Sequence, residues 1–306
     1  MKAIHVNWTA PFFHREKLRG HGFKVFRDYS KSEYFQPKYT VLATALSALW
    51  WKRENGNIKL YTDSIGAEYY EKIGLLDLYD EVDIYTLESY READPSIFWT
   101  SGKVRCLREE KDPFVFLDQD FIIRSKVPHF TEPIAIGHWE IPRGYYYFTR
   151  EKFEKEITHC SLPENYDVNA LVPNTSFLLF NDLRIRDLYV EMHRDLIDAG
   201  NSEVPEWFWL LTDQGILGHA IREMKAETAT LTDRVYLSDS NHSDERGRRV
   251  GYSEPWFEFI SAKPEKVSWE HLWYLKAVFH ENEELRNKTE ERLSIELKKF
   301  FDYEHQ

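Results

Sequence analysis

The sequence predicts an α/β fold, a mostly parallel sheet flanked by helices with a more elaborate C-terminal half. Three observations predict it. Short apolar runs rich in β-branched residues alternate with segments of helical periodicity through residues 1–124. The connections between them are short. The run Phe114-Val115-Phe116-Leu117 has no polar alternation, the mark of a strand buried on both faces, as in parallel sheets covered by helices.

Lys2–Asn7 reads as a first strand, broken by Trp8-Thr9-Ala10-Pro11. From Pro37, the residues Val41, Leu42, Ala45, Leu46, Leu49 and Trp50 recur at helical spacing, and Glu54-Asn55-Gly56-Asn57 stops that helix. Ile58–Tyr61 is a second strand. Asp63 and Ser64 are candidate N-caps for the next helix, which Gly74 ends. Val82–Tyr85 is a third strand, and Ile97–Glu110 a helix leading to Phe114–Leu117. In the second half, Ile134–Gly137 and Ser176–Phe180 read as strands, Leu183–Ala199 as a helix ended by Gly200, and Thr212–Met224 as a helix starting near Thr212 or Asp213. Asp239–Gly247 is a polar loop, and 282–305 an amphipathic, charge-laced helix closing on Phe300 and Phe301. No repeat or low-complexity linker interrupts the chain, so residues 1–306 read as a single domain, with 1–124 and 125–280 as its halves and 281–306 as a C-terminal helix.

The formal net charge of -12 excludes a broad nucleic-acid footprint, which needs clustered Lys and Arg. It also means that a phosphate-bearing ligand needs local cationic help from a metal, a lysine or a helix N-terminus. Two cysteines, Cys106 and Cys160, make no disulfide framework, so a reducing cytoplasm is expected. The apolar run at the N-terminus is too short for a signal peptide, and no stretch of about 18 apolar residues is present to span a bilayer. The expected location is cytoplasmic, with a peripheral contact at the inner face of the membrane left open. There is no P-loop, no dinucleotide-binding glycine fingerprint, no nucleophile elbow and no HExxH.

The triplet Asp118-Gln119-Asp120 carries the chemistry. By itself it is a common surface turn. Here it lies between two apolar runs, Pro113–Leu117 and Phe121-Ile122-Ile123, where uncompensated carboxylates are costly and a cation or strong donors are expected. An extended chain would point Asp118 and Asp120 the same way, offering oxygen ligands to a hard divalent ion that can also bridge a diphosphate. Carboxyl ends of parallel strands are where ligands bind in such sheets, and Asn7-Trp8 and Asp63 share that position.

The stretch from Ser101-Gly102-Lys103 through Asp112-Pro113-Phe114-Val115-Phe116-Leu117-Asp118-Gln119-Asp120 resembles the donor-site region of GT-A (Rossmann-like) glycosyltransferases, in particular the retaining families 8 and 32. Three further segments resemble that family's later markers in the same order: Asn174–Asn181, Thr212-Asp213-Gln214-Gly215, and His271-Leu272-Trp273-Tyr274-Leu275-Lys276. Ser176 stands where the family usually has Gly, and the family's Gly between the late His and Lys is absent.

The resemblance implies Mn²⁺ or Mg²⁺ held by Asp118, Asp120 and His271. It implies a nucleotide-sugar donor, a UDP-sugar first, held by Asn7, Trp8, Asp63, Lys103, Asn174 and Lys276, with Asp213 and Gln214 at the reacting sugar. It makes residues 1–124 the nucleotide-binding half and 125–280 the sugar and acceptor half. The implied acceptor is a glycan or lipid-linked saccharide, the implied outcome retention, and the implied role surface-polysaccharide synthesis. Bland readings stay open beside these. Lys103 and Arg105 fit an exposed helix face, Asn174 a turn, Asp213 and Asp63 N-caps, and His271 a partly buried core position. Trp139, Tyr145–Tyr147 and Trp207-Phe208-Trp209 suit core packing as well as an acceptor platform. Two other functions remain: a non-catalytic carbohydrate-binding protein on the same frame, and a sugar nucleotidyltransferase.

Overall fold

The computed structural model describes residues 1–14, 33–142, 148–158, 160–198, 208, 211–233, 235–237, 268–272, 279 and 282–304. In chain order the elements are β1 (Ala3–Asn7), α1 (Ala10–Phe13), α2 (Lys38–Glu54), β2 (Ile58–Thr62), α3 (Ser64–Lys72), β3 (Glu81–Asp83), α4 (Tyr85–Glu88), α5 (Ser101–Leu107), β4 (Phe114–Leu117) and β5 (Phe121–Ile123). They continue with β6 (Ile134–Ile136), β7 (Trp139–Ile141), α6 (Arg150–Glu156), β8 (Val172–Pro173), β9 (Phe177–Phe180), α7 (Leu183–Asp198), α8 (Ile216–Glu223), β10 (Thr228–Thr230), β11 (Val235–Leu237), β12 (Trp269–His271) and α9 (Glu283–Glu304). The central sheet has seven strands in the order β10-β6-β9-β4-β1-β2-β3; β11-β7-β8 and β12-β5 form smaller sheets. The predicted α/β class with a mostly parallel sheet is what the structure has. β1–β2, β2–β3 and β10–β6 are parallel, while β6–β9 is antiparallel.

The chain falls into two compact units: Met1–Glu88 with Leu117–Pro128 and Tyr252–Gln306, and Ser89–Phe116 with His129–Gly251. In the first, β1 and β2 run in register from Ala3↔Ile58 to Asn7↔Thr62. Two glycines make this part possible. Gly56 sits at φ 124°, and a Cβ there would lie 2.8 Å from the Met1 carbonyl; it ends α2 as the sequence predicts. Gly66, in the first turn of α3, would place a Cβ 2.1 Å from Thr62 Oγ1 and 2.8 Å from Asn7 Nδ2. Gly66→Ala is therefore expected to cost about 1–3 kcal/mol, the range for overpacking, read as a lower urea midpoint; a wild-type midpoint would contradict the crowding.

The aromatic C-terminus is explained in the same unit. Trp50 Nε1 donates to Glu296 Oε1 at 2.9 Å, Trp50 meets Phe300 edge-on at 5.7 Å, and Arg53 lies 3.7 Å over the Trp50 ring. α9 thus lies along α2.

Several predicted boundaries differ, two of them where an aspartate side chain captured the backbone. The third strand ends at Asp83, since Asp83 Oδ1 accepts the N–H groups of Tyr85 and Thr86, both at 3.0 Å, and starts α4. The helix predicted over Ile97–Glu110 is α only at Ser101–Leu107. Ahead of it Asp94 holds the chain in turns, taking Ser96 N at 2.8 Å on its side chain and Phe98 N at 2.8 Å on its carbonyl. The helix predicted from Thr212 opens as a wide π-helical turn, Leu211–Gly215, before α8. A Cβ at Gly215 would lie 2.5 Å from Tyr166 Oη. Ala199, Gly200 and the loop Asp239–Gly247 lie outside the described residues. No helix among the described residues is long and apolar enough to cross a membrane.

Candidate metal and donor site

In the first unit, Leu117, the last residue of β4, leads into Asp118, and β5 takes the chain away from Asp120. Between them the backbone is a turn closed by Phe121 N donating to Asp118 O at 2.9 Å, not the extended segment expected from the sequence. The turn still gathers the carboxylates, because a third element meets it. β12 pairs antiparallel with β5 so that His271 lies opposite Phe121, and Leu272 N donates to Asp120 O at 3.1 Å. Ligand atoms of Asp118, Asp120 and His271 then lie within 4.8 Å of one another, with His271 Nε2 3.9 Å from Asp120 Oδ1. Asp118 is half-buried; Asp120 and His271 are buried. Two carboxylates and an imidazole, partly withdrawn from water, fit a divalent ion that accepts nitrogen as well as oxygen. That chemistry suits Mn²⁺ better than Ca²⁺.

The sequence did not single out the support beneath this turn. His5 on β1 is fully enclosed. Ser47 Oγ donates to Phe121 O at 2.7 Å, so it accepts from His5 Nε2 at 3.2 Å, and His5 Nδ1 accepts from Tyr79 Oη at 3.0 Å. Burial lowers the His5 pKa to about 3, against the opposing pull of Asp120. A neutral imidazole with one fixed tautomer therefore props the turn. The only sequence signal was a histidine inside an apolar strand.

Asn7 and Asp63 end β1 and the residue after β2. The Asn7 amide is oriented: Oδ1 accepts from Tyr34 Oη at 2.7 Å and from Gln36 Nε2 at 3.4 Å, and Gln36 Nε2 also donates to Tyr70 Oη at 3.1 Å. Trp8 is half-buried beside them in sequence. The Asp63 carboxylate caps α3, accepting from Gly66 N at 2.9 Å, Thr9 N at 2.8 Å and Thr9 Oγ1 at 2.9 Å. Burial raises its pKa although these donors pull the other way. The N-cap reading accounts for the Gly66 contact, and the two Thr9 contacts tie the residue after β2 to the segment after β1. Lys276 lies outside the described residues.

The second unit gathers Lys103, Asn174, Asp213 and Gln214. Lys103 Nζ donates to Thr175 O at 2.8 Å, lies 3.5 Å from Asp213 Oδ1, and sits 4.4 Å over the Phe116 ring. Asp213 also accepts from Thr175 Oγ1 at 2.9 Å and Tyr189 Oη at 3.2 Å. Gln214 follows it, buried, in the π-helical turn. Asn174 Nδ2 donates to Glu140 Oε1 at 2.7 Å, and His138 Nε2 lies 3.1 Å from the same oxygen. Ser176 gives the Asn174 carbonyl oxygen both its N–H, at 3.1 Å, and its hydroxyl. The serine that replaces the resembling family's glycine thus orients the asparagine. Tyr189, His138 and Glu140 had no motif to announce them. Arg105 pairs instead with Glu109, one helical turn on. Phe208 is core, ringed by Phe98 and Phe153, and Trp139 is half-buried in β7; Tyr145–Tyr147, Trp207 and Trp209 lie outside the described residues.

Fold and site together define an α/β protein with a carboxylate–carboxylate–histidine cluster at the end of a buried strand. The chain belongs to a family of unknown function, DUF6734, whose model matches residues 1–261. His271 and α9 lie beyond that match. No curated protein matches the sequence. Among solved structures the chain is similar to the PaToxG glycosyltransferase (10% identity, TM-score 0.37, covering 73% of this chain and 68% of that one). It is also similar to mouse xyloside xylosyltransferase 1 in its apo form (15% identity, TM-score 0.38, covering 89% and 97%). A third similar structure is the glycosyltransferase GlyE of Streptococcus pneumoniae TIGR4, with 14% identity and TM-score 0.34 over 78% of this chain but only 45% of that one. Likeness at this level transfers no activity, so function is argued from the residues.

Proposed function

We propose that this chain is a metal-dependent glycosyltransferase of the GT-A type. It would move a hexose from a nucleotide-sugar, a UDP-sugar first, to a glycan or lipid-linked acceptor with retention, in surface-polysaccharide synthesis. The observation that carries the proposal is the convergence of Asp118, Asp120 and His271 at the exit of a buried strand. An ion held there would neutralise charge on a departing diphosphate. The chain's own contribution is preorganisation. Neutral His5 keeps the ligand turn in place without adding positive charge, Asn7 presents an oriented amide, and Asp63 locks the β1 and β2 exits together. Lys103 beside Asp213 holds that carboxylate in one position, which suits an acceptor for sugar hydroxyls. The roles of Asp213, Gln214, Asn174 and Lys276 toward a sugar or phosphate rest on the resemblance.

The test is thermal stability with UDP-, GDP- and CDP-linked sugars, each with Mn²⁺ and with EDTA. One nucleotide is expected to raise the melting temperature only with Mn²⁺, by the equivalent of about 2.7 kcal/mol at a hundredfold excess over Kd. A second reading, a non-catalytic carbohydrate-binding protein on the same frame, is favoured by the internal partners that already occupy Asn174 and Asp213. Sugar binding that is indifferent to EDTA, with no response to any nucleotide, would select it.

A further inference from the structure

β12 is three residues long and, among the described residues, pairs only with the equally short β5. A two-stranded ladder of this size is marginal by itself, yet it delivers His271 to the aspartates. Neighbouring residues on a strand face opposite sides. Trp269 stacks on the Phe121 ring at 5.0 Å and His271 lies 5.2 Å from it, so both take the Phe121 side. Glu270 takes the other, where it is nearly fully buried at 4% side-chain exposure.

There it meets two guanidinium groups. Arg124, which follows β5, donates Nη2 to Glu270 Oε2 at 2.7 Å. Arg292, on α9, donates Nη1 to Glu270 Oε2 at 3.0 Å and Nη2 to Oε1. Arg124 is fixed in turn by Glu296 of α9, with Nε to Oε1 at 2.6 Å and Nη2 to Oε2 at 2.9 Å, and Glu296 is held by Trp50 of α2. The back of the histidine strand is therefore bolted to β5 and α9 by directional, charge-assisted bonds. Burying such charges adds little stability over apolar packing, so what the arrangement contributes is geometry. Glu270, Arg292 and Glu296 lie beyond the family match, which ends at residue 261, while Arg124 and Trp50 lie within it.

We infer that Glu270, clamped by Arg124 and Arg292, is the positioning residue of the cation site, and that α9 completes that site by holding the strand that carries His271. The inference rests on the cation reading of Asp118, Asp120 and His271.

Two measurements on the full chain test it: Mn²⁺ affinity, from the free-ion signal in electron paramagnetic resonance, and hydrogen exchange of the Leu272 amide, which bonds Asp120 O. Glu270→Gln is expected to weaken Mn²⁺ binding about 10–100-fold, the range for residues that orient a ligand from behind, and to speed Leu272 exchange. Ile58→Ala, a cavity in the core of β2, is expected to lower the melting temperature and change neither. Should Glu270→Gln fail to fold, Arg292→Gln, at the more exposed side of the clamp, is expected to move both readouts in the same direction. Wild-type Mn²⁺ affinity and wild-type Leu272 exchange in a folded clamp variant would overturn the positioning role while leaving the cation site intact. A wild-type chain that binds no Mn²⁺ would instead overturn the cation reading, and this inference with it.

Discussion

Asp120→Ala is expected to abolish the proposed Mn²⁺-dependent nucleotide binding and donor turnover, and to leave a chain that still unfolds cooperatively. The asymmetry follows from what Asp120 does in the fold. Its carboxylate is buried at 4% exposure beside His271 and above a neutral His5, so it brings negative charge into a poorly solvated place. Such a charge is costly unless a cation answers it. Its backbone, not its side chain, takes part in the β5–β12 ladder, through Leu272 N to Asp120 O. Alanine keeps that bond and relieves the desolvation. In EDTA the variant is therefore expected to stay folded and to unfold in one cooperative transition. With Mn²⁺ and the nucleotide that stabilises the wild type, the shift worth about 2.7 kcal/mol at a hundredfold excess is lost. Loss of a direct ligand is expected to exceed the roughly 10–100-fold affinity cost of disturbing a residue behind one. A variant that kept the metal-dependent shift, or turned over donor at the wild-type rate, would sink the proposed function. A variant that was merely unstable in EDTA would show that Asp120 is structural.

What could be read from the sequence follows how local each cause is. Phe114–Leu117 was legible because a strand covered on both faces needs no polar partner residues, and Gly56 because a glycine between two asparagines stops a helix locally, here at positive φ. The Asp63 cap was legible too, since it needs only the turn that follows. Readings failed where one carboxylate outcompeted periodicity: Asp83 cut the third strand short, and Asp94 unwound the start of a helix. The candidate site divides in the same way. Asp118 and Asp120 announce themselves by sitting between apolar runs. His271 approaches them through a ladder between strands half the chain apart, and ordered resemblance, not spacing, pointed to it. His5, Glu140, Tyr189 and Glu270 act through partners remote in sequence, so no window around them carries a signal.

Acid is expected to destabilise the protein from pH 6.5 downward, before most carboxylates titrate, and His193 accounts for a measurable share. His193 on α7 is fully enclosed, shares a 3.3 Å contact with Ser101 Oγ, and packs edge-on against Tyr189 at 6.3 Å. Burial lowers its pKa to about 3, as it does for His5 in the other unit. The sign follows from proton counting. Between pH 6.5 and about 3 the unfolded chain binds a proton at each of these histidines and the folded chain does not, so stability present above pH 6.5 is lost as pH falls. The slope is about 1.4 kcal/mol per pH unit for each group. Asp63 works in the opposite direction, because its raised pKa lets the folded form take up a proton first. His193→Gln keeps a polar side chain near Ser101 and removes one titration. Its stability loss between pH 7 and pH 5, from urea midpoints, is expected to be smaller than wild type by up to about 2 kcal/mol. The consequence reaches the second unit's polar cluster, because Tyr189 carries its hydroxyl to Asp213 Oδ1 at 3.2 Å. Protonating His193 would therefore loosen the group that orients Asp213. Identical pH 7 to pH 5 losses in variant and wild type would mean that His193 takes up its proton in the folded state as readily as in the unfolded chain, contrary to its enclosure.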